Sequence, residues 1–192
     1  MHPPLYLAPA YFPGLSRREL RAREKELYPP SLWVSREACE LVYTELLESL
    51  ADLGFRVCLA VSGHAPAERL LREIAAQHHG RIGGMRVWGG GTSGLLREAL
   101  PELVAQRREL FGHGLTWETS NVMALDASWV DLERVSRIKA SPLPSQLKPC
   151  SEEQLTLIVQ EASAEFGNHY LDTAAQRLAA VAAEMLAESA AG

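Results

Sequence analysis

GFRVCLAVSGHAPAE, residues 54–68, holds a helix end, a strand and a helix start in one short stretch. Gly54 stands where a glycine cap closes a preceding helix. Val57 to Val61 form an almost continuous apolar run, the pattern of a strand covered on both faces rather than a half-wet one. Ser62 and Gly63 let the chain turn tightly. Pro66 then opens a helix, since a proline in the first turn forfeits no helical hydrogen bond. His64 is thereby placed just beyond the carboxyl end of a strand, where parallel sheets gather ligands.

Working outward, Ser35 is an N-cap for a helix through Leu53, with Leu41, Val42, Leu46, Leu47, Leu50 and Leu53 at helical spacing. AERLLREIAAQHH, residues 67–79, is the helix after the strand, closed by Gly80. Met85–Trp88 is a second strand, followed by glycines and by a helical stretch over residues 95–110. Helix, buried strand, helix, strand, helix is the grammar of a layered α/β domain with a mostly parallel sheet. A further helical segment runs from Glu118 to Leu125, with a turn at Trp129. Residues 140–151 read as loop, and Asp172–Ser189 as an alanine-rich helix. Before Pro30 the chain reads as a proline-rich loop and a short charged helix. No repeat or second domain is visible, so residues 1–192 are expected to form one domain.

Composition narrows the function classes. A formal charge of −5 spread along the chain gives no nucleic-acid or anionic-membrane footprint. The basic stretch from Arg17 to Lys25 is interleaved with Glu19 and Glu24, a solvated helix face. Cys39, Cys58 and Cys150 are odd in number, far apart and without metal-ribbon spacing, which points to a reducing, cytoplasmic setting. No apolar run reaches membrane-spanning length, and the first residues lack the pattern of a secretory signal.

Chemistry concentrates in two words, VSGH at Val61–His64 and HGLTWETS at His113–Ser120. A strand-end imidazole can ligate a metal, act as a base, or merely bond a neighbouring loop. His113 lies between two glycines, with no hydrophobic reason to be there. Glu118, at a helix start, can be a metal ligand or a favourable charge at the helix dipole, with Thr119 and Ser120 helping to cap. Imidazole and carboxylate at strand ends are what a metal-dependent hydrolase uses to activate water. His78 and His79 fit a helix end, and His169 a loop after a glycine turn. Trp88 and Trp129 are core or interface anchors; Trp117 is kept as a substrate-facing residue because it adjoins Glu118. Gly89, Gly91 and Gly94 fit the dinucleotide fingerprint GxGxxG, but no acidic residue closes a second strand at the expected distance. No P-loop or serine-hydrolase elbow occurs, and Cys58 sits in an apolar strand that disfavours a thiolate.

These words, in this order, resemble the creatininase (creatinine amidohydrolase) family. The correspondents are LAPAYFPG at Leu7–Gly14, YPPSLWVS at Tyr28–Ser35, VSGHAPAE at Val61–Glu68, HGLTWETSNVMALDASWVDLERV at His113–Val135 and EFGNHYLDTAAQRL at Glu165–Leu178. The resemblance implies a three-layer αβα fold, a divalent-metal site (zinc or manganese) and hydrolysis of an amide C–N bond. It also implies an oligomer with two-fold and three-fold contacts. It makes His64 and Glu118 metal ligands and His113 the group that protonates the leaving nitrogen. Ser62 stands where the family has asparagine, and Ala65 and Pro66 where it has glycines. The family's upstream Glu-x-His-Gly and Gly-Thr-Asp words, which supply further ligands, have no counterpart in these residues, so its first strand is expected to be missing. Three readings follow. The first is an amidohydrolase of a small-molecule amide, completed by another subunit or an upstream segment. The second is a catalytically silent member serving as a structural or regulatory subunit or a small-molecule binder. The third, a nucleotide binder through the glycines, ranks last.

Overall fold

A computed structural model describes residues 5–9, 18–19, 32–112, 114–140 and 150–190. Two compact units divide the chain: Met1–Leu95 with Leu178–Gly192, and Leu96–Arg177. The α/β class expected from the sequence holds.

The first unit is built on strands. β1 (Leu5–Pro9) pairs in parallel with β2 (Leu32–Val34), with a register shift between Tyr6 and Pro9. A second sheet has the order β3–β5–β4. β3 (Val57–Ser62) runs parallel to β5 (Met85–Gly91), in unbroken register from Val57↔Arg86 to Ser62↔Gly91. The two-residue β4 (Arg81–Ile82) pairs antiparallel with β5. α1 (Arg36–Asp52) begins at the expected cap, where Ser35 Oγ accepts the Ala38 N–H at 3.2 Å. It ends ahead of Gly54, whose φ of 86° a side chain would resist. α2 (Ala65–Gln77) starts two residues earlier than the periodicity suggests, with Pro66 in its first turn. Leu70 and Ile74 of α2, Cys39 and Leu47 of α1, and Ile82, Met85 and Val87 of the sheet form one buried cluster.

Three expectations need correction here. The proline-rich opening read as loop contains β1, because its ladder partner lies at residues 32–34, beyond any local signal. β3 is not covered on both faces: it is half-buried, and Val61 is 43% exposed. It ends its sheet, so among the described residues it has a strand neighbour on one side only. Along α1, Leu41, Val42, Leu46 and Leu53 face outward while Cys39 and Leu47 face the core. The helix's apolar stripe is broader than the surface it packs against.

The second unit is helical. The single helix expected over residues 95–110 breaks at Pro101, which has no N–H to continue the ladder. It becomes α3 (Thr92–Ala99), which enters from the first unit, α4 (Pro101–Gln106) and a 3-10 turn at Arg108–Leu110. α5 (Thr116–Asp126) leads through another 3-10 turn to α6 (Leu132–Lys139), capped by Asp131. α7 (Glu152–Glu161), not anticipated from periodicity, opens with a reciprocal cap between Ser151 and Gln154. α8 (Ala164–Ala190), whose residues from Leu178 onward belong to the first unit, begins eight residues before the expected Asp172 and carries Gly167 and His169 inside it, so His169 is an exposed helical residue, not a loop histidine. Gly167 is there for packing: a Cβ would collide with the Ser120 carbonyl oxygen of α5. Leu96, Trp117 and Tyr170 form the core of this unit. The loop expected at residues 140–151 and the charged helix before Pro30 lie largely outside the described residues. No helix among the described residues is long and apolar enough to cross a membrane.

Candidate functional site

In the first unit the polar groups gather at the carboxyl ends of β3 and β5. His64 is the N-cap of α2, with extended backbone angles and no side-chain cap hydrogen bond. Ser62 does the local work: its Oγ accepts the His64 N–H at 3.0 Å, closing a tight turn that holds the histidine at the strand end. The His64 carbonyl accepts the Glu68 N–H at 2.9 Å, starting the helix.

Glu68 is the residue that sequence reasoning passed over. It lies one turn into α2 yet is only 3% exposed. Its carboxylate rests against Gly91, the last residue of β5, and Gly94 in α3. A Cβ on Gly91 would sit 2.6 Å from Glu68 Oε2, and one on Gly94 would sit 2.8 Å from Oε1. Arg72, one turn further along α2, has Nη1 3.7 Å from Oε1. The remaining glycines serve packing as well. A Cβ on Gly89 would strike the Leu71 carbonyl of α2, and one on Gly90 would strike the Trp88 ring. GxGxxG here is thus the imprint of a helix and a buried carboxylate on a strand. A dinucleotide phosphate would meet the negative charge of Glu68 where the fingerprint would bind it. The signal that could have revealed Glu68 is its place on the stripe of Leu71 and Ala75, i+3 and i+7, on the inward side of α2.

In the second unit, α5 begins at Thr116 with Leu115 at the N-cap, so Thr119 and Ser120 are not caps. Ser120 is fully buried. Its Oγ donates to the Thr116 carbonyl at 2.7 Å and accepts the Ser163 N–H at 3.1 Å, tying α5 to the entrance of α8. Glu118, half-buried in the first turn of α5, turns back on the preceding loop: Gly114 N–H donates to its Oε2 at 2.5 Å. Gly114 has φ 68°, so the contact depends on a glycine conformation. Trp117 is no substrate platform. It is 8% exposed, meets Tyr170 edge-on at 5.2 Å between centroids, and donates its Nε1–H to the Gly112 carbonyl at 2.9 Å. His113 lies outside the described residues.

Burial pushes the thiols of Cys39, Cys58 and Cys150 above their usual range, and all three are free. None has the lowered pKa of a nucleophile.

Among the described residues no group of three or more His, Cys, Asp or Glu side chains is arranged to hold a metal ion. Hydrolytic metals take three or more protein ligands and an open position. The described residues therefore do not fit such an ion by themselves, and Glu118 already spends one oxygen on a backbone donor.

Over residues 2–182 the chain matches the family described as Creatininase: Creatinine amidohydrolase. No curated protein and no solved structure gives a match.

Proposed function

Because the chain belongs to the creatininase family, we propose that it contributes the downstream half of an amidohydrolase site acting on a small-molecule C–N amide bond. In this reading His64 and Glu118 are the chain's own metal ligands, for zinc or manganese, and His113 delivers the proton to the leaving nitrogen. Further ligands come from a complementing subunit, a second copy or an upstream segment. The fold proposed for the chain is the family's three-layer αβα domain, a reading supported by a family match running from residue 2 to residue 182.

The observation that carries the proposal is the pairing of that match with the position of His64 at the carboxyl end of β3. The alternative, a catalytically silent member serving as a structural or regulatory subunit or small-molecule binder, is favoured by one observation: no three-ligand group occurs among the described residues.

Turnover separates the two. A panel of small cyclic amides, formamides and short peptides would be offered, with zinc or manganese, to the chain alone and to the assembly isolated from its native source. The expected result is no hydrolysis by the chain alone and hydrolysis by the assembly, lost on His113→Ala. Assembly activity that survives His113→Ala, or no activity in either preparation, would favour the silent reading.

A further inference from the structure

α1 carries more apolar side chain than its own packing uses. Among the described residues ten large apolar side chains stand exposed. Five of them, Leu41, Val42, Leu46, Leu53 and Phe55, fall on this helix or just past its end. Apolar residues exposed singly are ordinary, whereas a concentration of them marks a surface that meets something. Cys39 and Leu47 already turn the inner side of α1 to the core. Val42, Leu46 and Leu53, spaced i, i+4 and i+11, form a second stripe beside that side. Leu46 at 59% and Leu53 at 76% exposure lie open to water.

A row of acids runs along this stripe. Glu45, Glu48 and Asp52, spaced i, i+3 and i+7, are exposed and share one side of α1. Arg36, the only base in the helix, lies more than two turns before Glu45 and is bonded to Glu73 of α2. The helix therefore offers these acids no counter-charge of its own, and that decides what fits. The α1 of a second copy, laid on the stripe, would bring no base to them. An antiparallel pair of copies would set the two acidic rows on the same side of the seam. An anionic membrane surface would be repelled.

We propose that the outer face of α1 is the docking surface for a basic amphipathic helix of a partner protein. The partner's apolar stripe covers Val42, Leu46 and Leu53, and its Lys or Arg residues face Glu45, Glu48 and Asp52. Apolar burial supplies most of the affinity, and the charge row selects the partner. This surface calls on neither metal nor turnover, so it stands or falls apart from the amidohydrolase reading.

Two helical peptides test it on the full chain by fluorescence anisotropy. Both carry leucines at i, i+4 and i+11; one has lysines beside that stripe, the other glutamates. The lysine peptide is expected to bind saturably at one per chain, more weakly as salt rises, and the glutamate peptide at least about tenfold more weakly. Leu46→Gln with Leu53→Gln should cost the lysine peptide about tenfold or more. Glu45→Lys with Glu48→Lys should reverse the preference between the peptides. All four positions are exposed, so melting temperatures should stay near wild type, and the charge reversal keeps the test open should the leucine variant fail to fold. Equal binding of the two peptides, no binding of either, or binding unchanged in the folded variants would overturn the proposal. So would self-association of the chain that is lost in the leucine variant, because the occupant would then be a second copy.

Discussion

Glu68 and Glu118 are the same residue type in the first turn of a helix, and neither helix has a side-chain cap from its N-cap residue. By local rules they are indistinguishable, each a favourable charge at a helix dipole. The fold separates them. Glu68 shares its side of α2 with Leu71 and Ala75, and the apolar stripe carries it inward, against Gly91 and Gly94. Glu118 shares its side of α5 with Asn121 and the exposed Val122, so it remains half in solvent and turns back to a loop amide. A first-turn glutamate therefore says little until its stripe is known; the residues at i+3, i+4 and i+7 decide whether it caps a loop or sits inside.

The sharpest way to break this comparison is to fill the glycines around Glu68. Gly89→Ala drives a Cβ into the Leu71 backbone, which cannot rotate away, and should cost about 3 kcal/mol or more. Gly94→Ala meets chiefly the end of the Glu68 side chain, so about 1 kcal/mol is expected, in the lower range for overpacking. Its cost should largely vanish in a Glu68→Ala background. Denaturant unfolding of the four proteins of that cycle measures the coupling. Additivity would mean that Glu68 does not lie against Gly94.

On the other side of the comparison, Glu118→Ala removes one hydrogen bond at a partly wet site. A loss of about 1 kcal/mol is expected, by the same measurement. Glu118→Gln should recover most of that stability, since its amide oxygen still accepts from Gly114. A loss of several kcal/mol would place Glu118 in a buried network like that of Glu68.

The smallest effect is a pH dependence in the second unit. Arg107 Nε donates to Glu109 at 2.5 Å and its Nη2 donates to both oxygens of Glu161 at 2.8 and 2.7 Å. The Arg107 hydrogen bond holds the Glu109 carboxyl below its usual range. A folded pKa below the unfolded one gives stability that is present above the unfolded value, about 4.3, and is lost as pH falls through the folded value. Melting temperature followed from pH 7 to pH 3 should fall more steeply for wild type than for Arg107→Ala. Parallel curves would remove Arg107 as the cause. Each of the three side chains is about a third or more open to solvent, so the difference should be slight.

Much of this was legible beforehand, and for identifiable reasons. Ser35, Gly54 and Pro66 punctuate helices through rules confined to a few neighbouring residues, and each stands where those rules put it. The parallel pairing of β3 with β5 follows from apolar runs on either side of a helix. What escaped depends on contacts distant in sequence. β1 needs residues 32–34, Ser120 needs Ser163, and Gly167 inside α8 makes sense only against α5. The glycine run after Trp88 is ambiguous in sequence, because a strand pressed by a helix and a strand approached by a phosphate demand the same absence of side chains. At the site, the position of His64 was readable from strand and turn. The burial of Glu68 was not, since it depends on the sheet beneath it.

The central claim, that His64 and Glu118 are two ligands of an incomplete metal site, is tested most directly by zinc titration of the full chain, with metal content checked by mass spectrometry. Two protein ligands predict weak binding by wild type, abolished by His64→Ala and equally by Glu118→Ala, and strengthened in the complementing assembly. Tight binding of one ion per chain that survives either substitution would contradict it.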